Sequence, residues 1–149
     1  MNHDEKRYLQ VEIADVSQQI YSGRCASVVA PAALGEVCIL PRHAPFLSKL
    51  IPGEVKVLTD DGDEQHFYVS GGYMEVANSM VTVLADQMLR SNEIDREAAL
   101  AAQRHAEEVL HKSHLFTERD QAKLELVKAL AQLRVLEHVD ITKLRKGRK

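Results

Sequence analysis

Histidine is the residue type in this 149-residue chain with the widest choice of chemistry, since an imidazole can bind a metal or transfer a proton near neutral pH. His111 and His114 are three positions apart, which would place both rings on one face of a helix. No carboxylate or thiol is placed to complete their ligand set. A small metal-dependent hydrolase using Glu36, His43 and His66 is a second possibility. Ordinary exposed histidines explain the pattern more simply, so we expect no metal site.

Other catalytic and binding signatures are missing from the sequence. It contains no G-x-S-x-G elbow, no G-x-x-x-x-G-K-[ST] phosphate loop and no G-x-G-x-x-G after a strand. The basic C-terminal segment 143–149 could contact nucleic acid, but the remainder of the chain is acidic and lacks aromatic stacking platforms. We therefore expect a protein without catalytic residues, without a cofactor and without a nucleic-acid partner.

The elements that would position any site fall into two parts. All four prolines, and every glycine except Gly147, lie at or before Gly72. Because these residues form turns and break helices, the sequence predicts a β-rich part followed by an uninterrupted helical part. We expect a β-sandwich domain over 1–88 with an ordered core from about residue 8, a helical hairpin over 89–138 and a basic tail over 139–149.

The first part contains short apolar runs with period-2 character, separated by turns every 8 to 12 residues. This spacing is typical of an all-β sandwich or barrel. Residues 60–63, Asp-Asp-Gly-Asp, predict a hairpin turn between two such runs. Cys25 and Cys38, the only cysteines, are interpreted as small buried apolar residues.

The second part is rich in the strongest helix-forming residues. Ser91 or Asn92 is expected to cap a first helix that ends near Lys112, and Thr117 a second helix that ends near His138. Alanines recur along both helices, so an antiparallel hairpin with a close seam is predicted. So small a unit needs support from the sandwich or from a partner.

Two segments are more specific. One is Pro-Arg-His-Ala-Pro-Phe-Leu-Ser at 41–48, followed by a Pro-Gly turn at 52–53; the other is Tyr-Val-Ser-Gly-Gly-Tyr-Met-Glu-Val at 68–76, followed by Val-Thr-Val-Leu-Ala-Asp at 81–86. On physical grounds alone they are a stiff loop and a β-bulge or tight bend. In this order, ahead of helices containing Ala-Leu-Ala-Gln-Leu-Arg-Val at 129–135, they resemble the epsilon subunit of F-type ATP synthases, called delta in mitochondria. The resemblance covers about residues 8 to 137.

The resemblance implies a non-catalytic rotor component. In that family a ten-stranded sandwich at the foot of the central stalk touches the gamma subunit and the ring of c subunits, and two helices are appended. Glu36, Arg42 and His43 match the ring-facing edge and are expected to contact polar loops of the ring. Cys38 departs from the glycine that many relatives have there.

In bacterial relatives the helices permit turnover when packed on the sandwich and inhibit ATP hydrolysis when extended into the catalytic head. By this resemblance, Lys123, Lys128 and Arg134 are expected to meet acidic surfaces of the alpha and beta subunits. Deleting the residues after about Arg90 is then expected to raise ATPase activity while assembly and coupling persist.

Some bacterial relatives also bind ATP on the folded hairpin through I/L-D-x-x-R-A. The matching positions here are Ile94, Asp95, Ala98 and Ala99, so Ala98 stands where the motif has arginine. Arg96 points to a different side of the helix and cannot replace it. We expect ATP binding to be weak or absent.

The sequence contains no run of roughly 20 apolar residues and no signal peptide at its charged start. The resemblance implies a peripheral location on the cytoplasmic face of a bacterial inner membrane, reached only through the complex. An alternative is a free-standing β-sandwich adaptor whose helical tail docks on another acidic partner.

Overall fold

A computed structural model describes residues 7–148. Residues 1–6 and Lys149, included above in the sandwich domain and the tail, lie outside the described residues. The nine strands found in the described part are β1 Leu9–Asp15, β2 Gln19–Ala32, β3 Gly35–Ile39, β4 Phe46–Leu50, β5 Gly53–Thr59, β6 Glu64–Val69, β7 Gly72–Ala77, β8 Met80–Ala85 and β9 Met88–Arg90.

The strands form a sandwich that closes on itself. Their order is β1-β8-β7-β4-β2-β5-β6-β9, with β3 beside β2, and β1 pairs both antiparallel with β2 and parallel with β8. The fold prediction is confirmed, with nine strands in the described residues instead of about ten. One cause is the length of β2, which pairs with β1 through its first half and with β3 and β5 through its second.

The core lies between the two layers of the sandwich. It consists of alternating residues from nearly every strand, among them Val11, Val28, Val57, Phe67 and Val83, each no more than 1% exposed. This core is the main source of stability, since burying a Val or Phe side chain contributes about 1.5–3 kcal/mol.

The cysteines differ from each other in burial. Cys25 lies in the core, whereas Cys38 is exposed, so the prediction that both are buried is wrong for Cys38. The alternation of β3 explains the difference: Val37 packs against the core, Ile39 is buried, and Cys38 between them faces outward.

The predicted bend at the paired glycines connects β6 to β7. Gly71 has φ +135° and Gly72 φ +132°, a region that residues with a Cβ rarely adopt. A Cβ on Gly72 would lie 2.1 Å from the carbonyl oxygen of Leu84 on the neighbouring strand. This corner therefore requires glycine for both conformation and space.

A 3-10 helix at Ser91–Glu93 leads into α1 Arg96–Lys112, which is followed by α2 Phe116–Lys146. The N-cap of α1 is Asp95, whose carboxylate accepts from the Ala98 amide at 3.1 Å, instead of the predicted Ser91 or Asn92. The N-cap position of α2 is Leu115 and not the predicted Thr117.

The second helix extends farther than predicted. It passes His138 and ends only at Lys146, so residues 139–146, predicted as part of a basic tail, belong to the helix. Two contacts with the β5–β6 hairpin support these last turns: Thr142 donates to Glu64 at 3.1 Å and Lys146 to Asp63 at 2.5 Å. Gly147, the first glycine or proline after Gly72, directly follows the last helical residue.

The two helices run antiparallel, as predicted. Arg96 at the start of α1 pairs with Asp140 near the end of α2 at 2.9 Å, and Arg119 near the start of α2 donates to the Leu110 carbonyl near the end of α1. The seam is lined by small buried residues, Ala99 and Ala106 of α1 and Ala122 and Ala129 of α2. No helix in the described part of the chain has the length and apolar character needed to cross a membrane.

Candidate functional site

The surface on which the helical hairpin meets the sandwich is the first candidate. Its apolar centre contains four buried residues, Tyr68, Ile94, Ala131 and Val135, with Leu89 and Leu136 at the margin. Tyr68 and Val135 are no more than 1% exposed. The docking surface is therefore buried and apolar at its centre, but this apolar cluster is much smaller than the core of the sandwich.

A polar cluster lies in the same interface. Nδ1 of His138 on α2 lies 2.9 Å from Oε1 of Glu54 on β5, and Nδ1 of His66 on β6 lies 3.4 Å from Oε2 of the same carboxylate. On its other side, Nε2 of His66 lies 3.3 Å from Oε2 of Glu64. Glu54, His66 and His138 present ligand atoms that all lie within 4.8 Å of one another.

Burial raises the pKa of the Glu54 carboxyl, but the adjacent His66 and His138 rings outweigh that effect and hold the pKa below its ordinary value. His66 is buried, with only 7% of its surface exposed, and neither of its ring nitrogens makes a hydrogen bond. The carboxylate oxygens are near these nitrogens but not aligned with them. An unsatisfied buried imidazole costs free energy, so this residue needs an explanation.

Sequence reasoning missed this cluster because its members come from distant segments. The predicted hairpin turn could have revealed half of it: with the turn at 60–63, antiparallel pairing places Glu54, Glu64 and His66 on one face of β5 and β6. His138 joins them only through the docking position of α2. No sequence pattern predicts where α2 docks on the sandwich.

The three residues expected to face the c-ring do not form one cluster. Glu36 is exposed on β3, beside the turn at Ala33 and Leu34. Arg42 and His43 are exposed in the loop beyond the other end of β3. Since a strand rises about 3.3 Å per residue, the stretch from Glu36 to Leu40 separates the two points by about 13 Å.

The loop at Arg42 and His43 is locally well defined. Arg42 has φ +67° within a turn closed by the His43 amide, which donates to the Leu40 carbonyl at 3.1 Å. Nδ1 of His43 contacts the Ala44 carbonyl at 2.6 Å, and its ring packs edge-on against Phe46 at 5.7 Å. This arrangement displays Arg42 on a stiff loop, as the prolines suggested.

The three cations predicted to meet the catalytic subunits lie on different faces of α2. With about 100° per residue, Lys123 and Arg134 are about 20° apart, whereas Lys128 is about 140° from Lys123. Lys123 and Arg134 are exposed, and Lys128 is half-buried between the helices. Arg134 shares with Glu36 a cavity of about 380 Å³ between α2 and the sandwich.

The residues of the nucleotide motif have structural roles in this arrangement. Ile94 is buried in the docking cluster, Asp95 caps α1 and Ala99 is buried in the helical seam. Ala98 lines a cavity of about 370 Å³. The charged residues of that cavity are Glu93, Asp95, Glu125 and Lys128. Three carboxylates against one ammonium group disfavour a triphosphate.

Comparison with known proteins matches both parts of the chain to one family. Residues 8–91 match the model of the ATP synthase delta/epsilon chain β-sandwich domain, and residues 92–137 match that of its long α-helix domain. The ATP synthase epsilon chain of Halorhodospira halophila is 48% identical over 131 residues, covering 87% of this chain and 92% of that one. The epsilon chain of Alkalilimnicola ehrlichii is 46% identical, covering 88% and 94%.

Solved structures share the fold. A chain of the Euglena gracilis mitochondrial ATP synthase, in a structure of its OSCP, F1 and c-ring assembly, superimposes with a TM-score of 0.79 at 20% identity, covering 87% of this chain and 82% of that one. A chain from the central stalk and c-ring of the Tetrahymena thermophila enzyme gives 0.57 at 15% identity, covering 88% and 98%.

Proposed function

Because this chain belongs to the family of ATP synthase delta/epsilon chains, whose members are non-catalytic, we propose that it couples rotation of the c-ring to the catalytic head and restrains ATP hydrolysis through its helices. It does so as a central-stalk subunit in contact with gamma. Its place is the cytoplasmic face of a bacterial inner membrane, to which the complex holds it peripherally.

The observation that carries the regulatory proposal is the contrast between two interfaces. The sandwich is held by a continuous core, whereas α2 docks on it through four buried residues and a few polar contacts. One of those contacts, Lys146–Asp63, is an exposed ion pair, and pairs of this kind contribute only about 0–1 kcal/mol each. The helices can therefore leave the sandwich without unfolding it.

The side of α2 at the edge of its contact with the sandwich supports a second binding partner for these helices. Leu124, Val127 and Leu130 are each about half exposed although the helix is docked. Exposed Lys123 and Arg134 flank them. Apolar side chains bordered by cations suit a surface of a catalytic subunit that is acidic at its rim. Lys128 becomes available to the same partner when the hairpin opens.

The ring-facing role is assigned to Glu36, Arg42 and His43. Leu34 and Leu47, both strongly exposed, lie on the neighbouring β2–β3 turn and β4. Two separated polar contacts with apolar side chains nearby would resist sliding against the ring better than a single contact. Replacing Arg42 by Glu is expected to lower ATP-driven ion pumping per ATP hydrolysed. R24E, a charge reversal of an exposed arginine on β2, is the control.

The test of regulation compares ATP synthase assembled with the full chain and with a chain that ends at Arg90. We expect the truncated form to assemble with gamma and the catalytic subunits, to retain ATP-driven pumping and to hydrolyse ATP faster. Equal hydrolysis rates over a range of nucleotide concentrations and driving forces would refute the inhibitory role.

Charge-reversal variants test whether inhibition of ATP hydrolysis depends on α2. The double variant K123E/R134E is expected to raise hydrolysis several-fold, because it places like charges against an acidic partner. R104E reverses one charge at an exposed site on α1 and should leave the rate unchanged. An equal effect of R104E would mean that overall charge, and not this face of α2, matters.

A further inference from the structure

We propose that Glu54, His66 and His138 form a binding site for a divalent transition metal, of which Zn²⁺ is the best match, and that the ion joins α2 to the sandwich. Two ligands come from neighbouring strands and the third from the helix. Glu54 and His138 also line the cavity that Glu36 and Arg134 share, whereas none of the three ligands lines the cavity beside Ala98.

The distances suit such an ion. Zn²⁺ takes imidazole nitrogens at about 2.0–2.1 Å and carboxylate oxygens at about 2.0–2.2 Å, which in a tetrahedron places the ligand atoms about 3.4 Å apart. Nδ1 of His138 and Nδ1 of His66 lie 2.9 Å and 3.4 Å from oxygens of Glu54. Two histidines and one glutamate leave the fourth position for water.

The unsatisfied His66 ring is the independent sign that a ligand belongs here. Its Nδ1 is buried, aimed into the cluster and without a hydrogen bond, although the Glu54 carboxylate is 3.4 Å away. A cation between the two groups would bind both. Imidazole selects Zn²⁺ and similar ions over Mg²⁺ and Ca²⁺, which prefer oxygen ligands.

The surroundings also match those of a metal-bound histidine. A histidine that binds a metal through one nitrogen usually donates its other N–H to a carboxylate, which fixes the ring. Nε2 of His66 faces Glu64 at 3.3 Å, and Glu64 in turn accepts a hydrogen bond from Thr142 on α2 at 3.1 Å. Glu64, through Thr142, and Glu54, through His138, thus both link α2 to the sandwich.

An ion here would favour the docked helix. Its ligand set is complete only while His138 lies against β5 and β6, so binding stabilises that arrangement by mass action. Metal binding does not require that the helices inhibit hydrolysis. The site can therefore be tested on the isolated full chain, whatever the outcome of the ATPase experiments.

The experiment titrates the metal-free full chain with Zn²⁺ by calorimetry and counts bound metal after dialysis. We expect one ion per chain, at least tenfold weaker binding in H138A, and a 10- to 100-fold weakening in E64Q through loss of the carboxylate behind His66. Binding of Co²⁺ should give the visible absorption of a tetrahedral ion. Mg²⁺ should not compete.

Two controls make the result decisive. H105A removes an exposed histidine that also faces a glutamate, at 3.4 Å, and the double variant H111A/H114A removes the two histidines near the helical turn. Both are expected to bind Zn²⁺ like the parent chain. In the parent, Zn²⁺ should also slow amide exchange over 134–142. The proposal fails if H138A binds as well as the parent, or if H111A/H114A accounts for the binding.

Discussion

Val135 of α2 and Tyr68 of β6 share one apolar cluster, and neither exposes more than 1% of its surface. The cluster forms where helix and sandwich meet and is separate from the sandwich core. The free energy of helix docking therefore depends on a few side chains, which can be changed without touching the core.

V135A should weaken helix docking by about 2 kcal/mol, since it removes two buried methyl groups and leaves a small cavity. Protease digestion and amide exchange should show α2 opening more often, while the unfolding temperature of the sandwich stays nearly constant. V127A removes the same groups from a half-exposed position of the same helix and should cost less than about 0.5 kcal/mol. Equal effects of the two variants would contradict a docking role for Val135.

Glycine at the corner between β6 and β7 meets two requirements, a positive φ and a lack of space for a Cβ. Comparing G72A with G35A separates these two requirements. G72A places a methyl group 2.1 Å from a backbone oxygen, and backbone cannot move aside cheaply. G35A shares the positive φ, +135°, but has open space around the added atom. We expect G35A to cost about 1–3 kcal/mol in unfolding free energy.

By the same reasoning, G72A should cost clearly more than G35A or prevent folding, as chemical denaturation of both variants would measure. Similar costs would mean that the conformation, and not the contact with Leu84, determines the requirement at Gly72.

The two thiols should differ sharply in reactivity. Cys25 is in the core, where burial raises the pKa of its thiol to about 11, with the charge of Asp60 adding to the shift. At pH 8 roughly one Cys25 thiol in a thousand would be ionised, and reagent would still have to reach it. Cys38 is exposed. A thiol reagent at pH 8 should label one cysteine in the native chain and two in denaturant.

Mass spectrometry of the labelled chain should place the native label on Cys38, and C38S should abolish fast labelling. Rapid labelling of Cys25 in folded protein would show that the sandwich opens far more readily than its core suggests.

How far the sequence predicts the structure depends on the range of the interactions. The hairpin turn at 60–63 and the glycine corner were predictable because turn geometry and φ preferences act within a few residues. The end of α2 was misplaced because contacts made by Thr142 and Lys146 with the distant β5–β6 hairpin stabilise its last turns. Helix propensity could not reveal that support.

The same distinction applies to the candidate sites. The proposed ring-facing residues and the residues of the nucleotide motif were predicted from contiguous motifs, whereas the Glu54–His66–His138 cluster joins residues up to 84 positions apart. The faces of Lys123, Lys128 and Arg134 follow from helical geometry alone. Which of these faces meets the sandwich is decided by the apolar residues around Val135.

The isolated chain should bind ATP no better than in the millimolar range. The cavity beside Ala98 presents three carboxylates and one lysine, and the position that holds arginine in nucleotide-binding relatives offers only a methyl group. A98R would supply a guanidinium able to form two hydrogen bonds with a phosphate. We expect it to tighten ATP binding at least tenfold, measured by calorimetry with Mg²⁺ present.

The matched variant A101R adds the same charge at an exposed position of α1 that does not line the cavity. A gain of binding in A98R alone would locate the loss of affinity in one missing side chain. Equal gains would reflect general attraction between a cation and a polyanion. Micromolar binding by the unaltered chain would contradict the electrostatic argument, because ATP would then bind despite an excess of negative charge and without the motif arginine.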